Sequence, residues 1–404
     1  MQASVDHIAT SHVGSLPRPD RLIAAHRANE TGEPVDERAF EQTLREAVSE
    51  VVRRQRDIGI DIPGDGEFGK PMSTRVQYGS WWRYSWARLG GLEFFTEPSA
   101  FDTTPRRSGP GQVVLTSFGD RRDRSQFAAA YADPESGITT GPRAPAPRCV
   151  APITYTGHEA IAADIANFKA AMQTAGVEQG FMSAVAPGSA SRIANAYYKT
   201  DEELLYACAD AMHHEYKAIL DAGLILQIDD PAIAENWDMI NPAPTVQEYQ
   251  KFAMRRVEAL NHAMSGLPQD RIRFHLCWGS WHGPHTTDIP MRDIIDVMLA
   301  INASAYSFEA GNVRHEHEWK VWQDVKLPDH KLMLPGVVSH ATNVVEHPEL
   351  VAERIVRFAN VVGRERVIAS TDCGLGGRIH PDIAWAKLES LSQGAALATR
   401  QLWR

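Results

Sequence analysis

Cysteine is scarce in this chain. Its 404 residues hold four, Cys149, Cys208, Cys277 and Cys373, and no two are spaced as a CxxC pair. That spacing offers no disulfide framework, so the thiols are expected to be free or to bind metal. Basic charge is also in short supply. Lys and Arg total 41 against 51 acids, a formal charge of −10, and no basic run occurs. Nucleic acid is therefore not the expected partner. Long apolar runs are missing too. None approaches the roughly 18 residues of a membrane span, and the opening MQASVDHIATSHVGSLPRP has no apolar core of a secretion signal. No membrane partner is expected, and the expected location is cytoplasmic. No internal repeat is evident.

What is present is apolar patterning. With 43% apolar residues the chain can bury a large core. Strand-like runs occur at Ser11–Leu16, Ile60–Glu67, Phe181–Ala186, Leu224–Asp229, Ile272–Trp278, Ala305–Glu309, Leu332–Val338 and Val367–Asp372. Helical patterns alternate with them. Thr200-Asp201-Glu202-Glu203 is a capping box whose helix should run to Gly223. Residues 245–264, 339–362 and 381–403 carry helical periodicity as well. Such alternation implies an α/β fold, and eight units imply a single (β/α)8 TIM barrel over residues 1–404. The segment 71–147 breaks the pattern and is too long for an ordinary loop. It reads as an insertion after the second strand, with Trp81, Trp82 and Trp86 packed on the barrel rim and contributing to the pocket wall. A lid or a homo-oligomer contact is its alternative role.

Polar residues collect at the ends of the apolar runs, where barrel sites form. His275 and Cys277 are two apart, so on a strand both point to one face. Glu309 and Cys373 end two later runs. Nitrogen, sulfur and carboxylate donors of this kind suit zinc better than magnesium. A thiolate-rich site favours activation of a substrate thiol over activation of water. Cys208, on a helix with Leu204, Leu205 and Met212, reads as a core residue. Cys149 lies in the extended run Arg148–Tyr155 with no acid or His beside it. The sixteen His include clusters at His282/His285 and His315/His317, which read as solvated loop faces, with a second metal as the alternative.

Several motifs fall together in order: Val13-Gly14-Ser15-Leu16-Pro17-Arg18, Gly66-Glu67, Arg148-Cys149-Val150, Gln227-Ile228-Asp229-Asp230-Pro231-Ala232, His275-Leu276-Cys277 and Asp372-Cys373-Gly374-Leu375. In this combination the chain resembles the C-terminal catalytic barrel of the cobalamin-independent methionine synthase family, and the resemblance covers nearly its whole length. It is closest to the short, single-barrel members labelled methionine synthase II, related to epoxyalkane:coenzyme M transferase. The resemblance implies a zinc-dependent methyl or alkyl transfer to a small thiol, homocysteine in the first instance. It implies His275, Cys277, Glu309 and Cys373 as zinc ligands. It implies Gly14 and Ser15 as a loop holding the amino-acid substrate, with Glu67 and Asp229 binding its α-amino group. A structural ion pair is the rival role for those two acids. His340 is the candidate for the corresponding general acid, one residue earlier than the family register, with a surface His as the rival reading. The folate-binding stretch departs from the family: Met182–Ser189 holds no Trp where the family stacks one on a pterin. A smaller alkyl donor than methyltetrahydrofolate is therefore expected. A zinc lyase or hydrolase, or a non-catalytic metal-binding barrel, are the alternatives.

Overall fold

The computed structural model describes residues 4–138 and 145–403, so the end of the Pro/Gly/Arg-rich tract expected up to Pro147 lies partly outside the described residues. Nine strands form among the described residues. They are β1 (Leu89–Glu93), β2 (Arg148–Tyr155), β3 (Phe181–Val185), β4 (Ala194–Asn195), β5 (Ile225–Asp230), β6 (Ile272–Leu276), β7 (Ala305–Phe308), β8 (Leu332–Val338) and β9 (Ser370–Thr371).

Strands β3, β5, β6, β7, β8 and β9 make one parallel sheet in that order. Every residue of β3, β5, β6, β7 and β8 is buried. Continuous apolar runs form such strands because helices cover their outer faces. The sheet curls, and backbone bonds extend it past both ends. Ser11 N–H donates to Ala369 O at 2.8 Å and Ile62 N–H to Thr10 O at 3.0 Å. Phe181 N–H donates to Pro63 O at 3.0 Å, beside a parallel bridge from Gly64 to Phe181. Inside the curl, Ala9, Ile62, Phe181, Ile225, Ala305, Leu332 and Ile368 form one apolar cluster. The architecture is thus α/β and TIM-like.

The first two expected strands are reduced to these single links. Both segments leave the ladder at once and turn over the rim, with Gly14 at φ 74° and Gly66 at φ 68°. The last expected strand shortens to β9. The helices follow their caps. One spans Asp201–Asp221, with Thr200 Oγ1 accepting from Glu203 N–H. Another spans Val246–Ala263 behind a capping box at Thr245. The helix expected from residue 339 begins only at Pro348, because Ser339 N–H is taken by the Glu346 carboxylate at 2.8 Å and His347 caps the start. The final helix is Pro381–Leu402.

The 71–147 segment is not a bare loop. Its helix Ser80–Ala87 leads into β1, which pairs antiparallel with β2. A buried polar cluster ties this unit to the rest. Glu215 accepts from Tyr84 Oη at 2.8 Å, Tyr155 Oη at 2.6 Å and Arg88 at 3.1 Å, while Arg88 also reaches Asp164 at 2.5 Å. Among the described residues no helix is long and apolar enough to cross a membrane.

Candidate metal and thiol site

Strand β6 sets the site. Arg273 and His275 share its inward face. Arg273 is fully buried over the Phe181 ring at 3.6 Å, and its guanidinium donates to Gln227 Oε1, Ser11 Oγ and His12 O, each at 2.8 Å. This fixes the β6 backbone one step below His275. His275 Nδ1 meets Ser307 Oγ at 3.1 Å, while its buried Nε2 has no hydrogen-bond partner. The ligand atoms of His275, Cys277 and Cys373 all lie within 4.8 Å of one another. Cys277 Sγ and Cys373 Sγ are 3.9 Å apart. That contact pushes the Cys373 thiol well below its ordinary range and the Cys277 thiol well above, because two close sulfurs share one proton. An imidazole lone pair without a partner and two sulfurs, one ionised, fit a soft divalent metal.

Glu309 stands slightly apart. Its carboxylate groups with His340 and Asp372, all buried and within 4.8 Å of one another. Glu309 accepts from Trp278 N–H at 3.0 Å and from Asn312 Nδ2 at 2.8 Å. Asp372 accepts from Ala310 N–H at 2.8 Å and Gly311 N–H at 2.7 Å. These donors orient the carboxylates, and each Glu309 oxygen, with one donor, keeps a lone pair for a metal. Burial holds His340 neutral, with a pKa of about 3. Neither Glu309 nor His340 lies on the cavity wall described next.

A cavity of about 330 Å³ opens above the sulfurs. Ser15, Glu67, Asp229, His275, Cys277 and Cys373 line its inner end. Burial lifts the Asp229 carboxyl to about 7, and Gln227 Nε2 donates to its Oδ1 at 2.7 Å. Glu67 Oε1 takes Lys70 Nζ at 3.0 Å, and Glu67 Oε2 is buried with no partner. Glu67 thus does form an ion pair, its rival role, but with a lysine three residues away and not with a barrel arginine, and one oxygen stays free. Gly14 lies off the wall and packs behind Glu67, where a Cβ would stand 2.8 Å from Oε1.

The outer end of the cavity carries the three tryptophans expected on the pocket wall, together with aromatics the sequence did not single out. Trp81, Trp82, Trp86 and Phe118 come from the 71–147 segment, and Trp281 follows the β6 ligands. Arg121 lies over Trp281 at 3.6 Å, and Trp281 Nε1 donates to Tyr131 Oη at 2.7 Å. The only sequence signal for Trp281 is its place just past a ligand-bearing strand. His285 and His315 are not solvated faces. His315 is buried with Glu318 at 2.8 Å on one nitrogen and Asp288 at 3.1 Å on the other, and Asp288 also holds His285 at 2.9 Å. Burial opposes its charge, but the two carboxylates prevail and lift His315 to about 10. Both nitrogens therefore donate to carboxylates, which leaves no lone pair for a second metal. Cys208 is fully buried in the main apolar core, as is Cys149, whose Sγ donates to Ala151 O at 3.4 Å.

Comparison with known proteins agrees with this geometry. Residues 143–396 match the family model described as the catalytic domain of cobalamin-independent synthase. A methionine synthase of Thermococcus kodakarensis is 25% identical over 403 residues, covering 98% of this chain and 95% of that protein. One of Pyrococcus horikoshii is 22% identical, covering 98% and 94%. A solved B12-independent methionine synthase from a Shewanella species, in complex with selenomethionine, has the same fold, with a TM-score of 0.68, 18% identity and coverage of 98% and 99%. The family match spans β2 through most of the last helix and takes in Asp229, His275, Cys277, Glu309 and Cys373, so the chain belongs to the cobalamin-independent synthase catalytic-domain family.

Proposed function

We propose that this protein transfers a methyl or related alkyl group from a donor to the sulfur of homocysteine. The observation that carries the reading is the partnerless His275 Nε2 facing two sulfurs 3.9 Å apart at the floor of a cavity that also presents Glu67 and Asp229. We assign His275, Cys277 and Cys373 as zinc ligands. Glu309, which feels the Cys373 charge, is the fourth. Zinc held there supplies the positive charge that lowers the pKa of a thiol, making it a nucleophile at neutral pH.

The remaining roles belong to the chain. Glu67 Oε2 and Asp229 accept the α-ammonium of the amino-acid thiol, and Ser15 stands beside them on the wall. Alkyl transfer leaves the donor atom in need of a proton. We assign that proton to His340, whose Nδ1 is buried without a partner. Burial holds His340 neutral, so it would act as a relay, giving up one ring N–H as its other nitrogen takes a proton from Asp372. Asp372 is a neighbour within 4.8 Å whose carboxyl is lifted to about 8 by burial first and then Glu309.

The donor lies in the outer cavity. Trp81, Trp82, Phe118 and Trp281 offer flat surfaces there, and Arg83, Arg106 and Arg378 line it with no carboxylate partner among the described residues. Flat walls and spare cations suit a planar, negatively charged donor over a sulfonium. The Met182–Ser189 stretch thus lacks a Trp that other segments supply. We read residues 1–404 as one barrel domain and 71–147 as the segment that walls its site.

The test uses metal and thiol directly. The purified protein should carry one zinc per chain, and Cys277→Ser and Cys373→Ser should each lose it while staying folded. The cobalt-loaded protein should develop a sulfur-to-cobalt charge-transfer band on titration with homocysteine. No thiol-dependent band at millimolar homocysteine would overturn the proposal.

A further inference from the structure

We infer that Lys70 is a positioning residue that turns Glu67 into an acceptor for a single ammonium, and so sets the preference of the site for thiols that carry an amino group. The inference rests on the role proposed above for Glu67.

Glu67 is held on every side but one. It is a non-glycine residue at φ 60°, a conformation that persists only where the surroundings enforce it. Its N–H donates to Asp65 Oδ1 at 2.9 Å, and its carbonyl accepts from Lys70 N–H at 3.0 Å. The buried Arg18 guanidinium donates to the carbonyls of Glu67 and Lys70. The backbone turn is therefore fixed before the side chain is considered.

The carboxylate is then divided into two unlike oxygens. Lys70 Nζ is 3.0 Å from Glu67 Oε1 and 3.0 Å from Ser183 Oγ, and Ser183 Oγ itself donates to Oε1. The three groups close a triangle. Lys70 is 6% exposed, and its ammonium also lies 4.4 Å from the Tyr84 ring centroid. Tyr84 is pinned by Glu215 and by Val185 N–H at 3.0 Å, so the lysine cannot swing outward without breaking that cluster. Gly14 seals the same side, since any Cβ there would meet Oε1. Oε1 is saturated and immobile.

Oε2 has no partner and is buried, although Glu67 borders the cavity. A bare carboxylate oxygen inside a protein is costly unless something arrives to donate to it. The local charge count says what arrives. Among the described residues Lys70 alone makes a salt bridge to Glu67 or Asp229. The buried Arg18 is spent on backbone carbonyls and Arg273 on Gln227, Ser11 and His12, which leaves Glu67 Oε2 open to one charged donor. Lys70 is thus spent on Oε1 and does not compete for Oε2. Without it the carboxylate is free to rotate onto Ser183, and the bare oxygen is no longer presented to the cavity.

The experiment compares homocysteine with the same thiol lacking its amino group, γ-sulfanylbutyrate. Each is titrated into cobalt-loaded wild type, Lys70→Met, Lys70→Arg and Ser183→Ala, reading the charge-transfer band. Metal content and thermal melting identify folded protein. Wild type should bind homocysteine roughly ten-fold or more tighter than the des-amino thiol, as a charge-assisted hydrogen bond allows. In Lys70→Met that ratio should fall toward unity through weaker homocysteine binding alone, the des-amino thiol keeping its affinity within about two-fold. Lys70→Arg should retain part of the ratio. If Lys70→Met does not fold, Ser183→Ala, which removes one corner of the triangle without a charge, should lower the ratio by itself. An undiminished ratio in a folded, metal-loaded Lys70→Met, or in Ser183→Ala where that is the variant measured, overturns the inference alone. A wild type that binds both thiols equally, or neither, overturns the role of Glu67 and this inference with it.

Discussion

Arg88 joins the pocket-wall segment to the barrel. Its side chain is 9% exposed and pairs with Glu215, 1% exposed, and Asp164, 13% exposed. Burial opposes the charge of Glu215, but Arg88 and the two tyrosine hydroxyls outweigh it and hold the carboxyl below its ordinary value. Arg88→Met removes the only cation of the group and keeps most of its volume. Breaking a buried ion pair from one side costs about 3–5 kcal/mol. A chain of this length unfolds with an entropy near ~0.85 kcal/mol/K, so the melting temperature should fall by about 4–6 °C. The pH dependence has a definite sign. A carboxylate whose folded pKa is depressed stabilises above its unfolded pKa and loses that contribution as pH falls through its folded value. The wild-type advantage over Arg88→Met should therefore be full at neutral pH and shrink below about pH 4.5. Arg88→Met/Glu215→Gln should recover part of the loss, because it leaves no unpaired charge at Glu215. Calorimetry across pH on the three proteins decides the matter. A deficit smaller than about 1 °C, or one independent of pH, would show that solvent or a rearranged neighbour compensates the acids and that the cluster does not hold the wall.

Two further outcomes follow from the cavity. Trp281→Ala should raise the KM of a planar donor about ten- to a hundred-fold, the worth of one ring-stacking contact, while leaving homocysteine titration of the cobalt protein unchanged; equal loss on both sides would place Trp281 elsewhere in the reaction. His315→Gln should destabilise most below about pH 6.5, the ordinary histidine value, and the difference from wild type should vanish as pH rises toward the folded value of about 10, since a raised pKa stabilises only while the proton is held. A chemical-denaturation series against pH checks this, and a pH-independent difference would count against the buried imidazolium.

The sequence made the middle of the molecule legible and left its rims obscure. Strands β3 and β5 to β8 are short apolar runs bounded by turns, and burial on both faces makes such runs hard to misread. The pair His275 and Cys277 was legible because a strand fixes side-chain direction at a period of two. Residues 11–16 and 60–67 misled for the opposite reason. Their apolar content reads as strand, but Gly14, Gly66 and Glu67 take left-handed backbone and carry the chain over the barrel mouth. Lys70 and His315 were passed over because such residues usually face water. Each has an acid three residues away, Glu67 and Glu318, but its burial also needs a distant partner, Ser183 for one and Asp288 for the other. Of the aromatic wall, Trp81, Trp82 and Trp86 were legible as a cluster, while Trp281 escaped: it is 199 positions from Trp82 and joins it only through the cavity they share.

The seam where residues 9–11 pair with Ala369 bears on how the protein is made. It joins two segments that lie far apart in sequence. Cys373 lies just beyond it, whereas His275 and Cys277 are already in place on a strand synthesised much earlier. An open ring offers the proposed site His275, Cys277 and Glu309 but not Cys373, its fourth donor. On the proposed zinc assignment, full chelation waits until the ring is shut and then clamps the Cys373 segment in place, so that metal uptake discriminates closed rings from open ones.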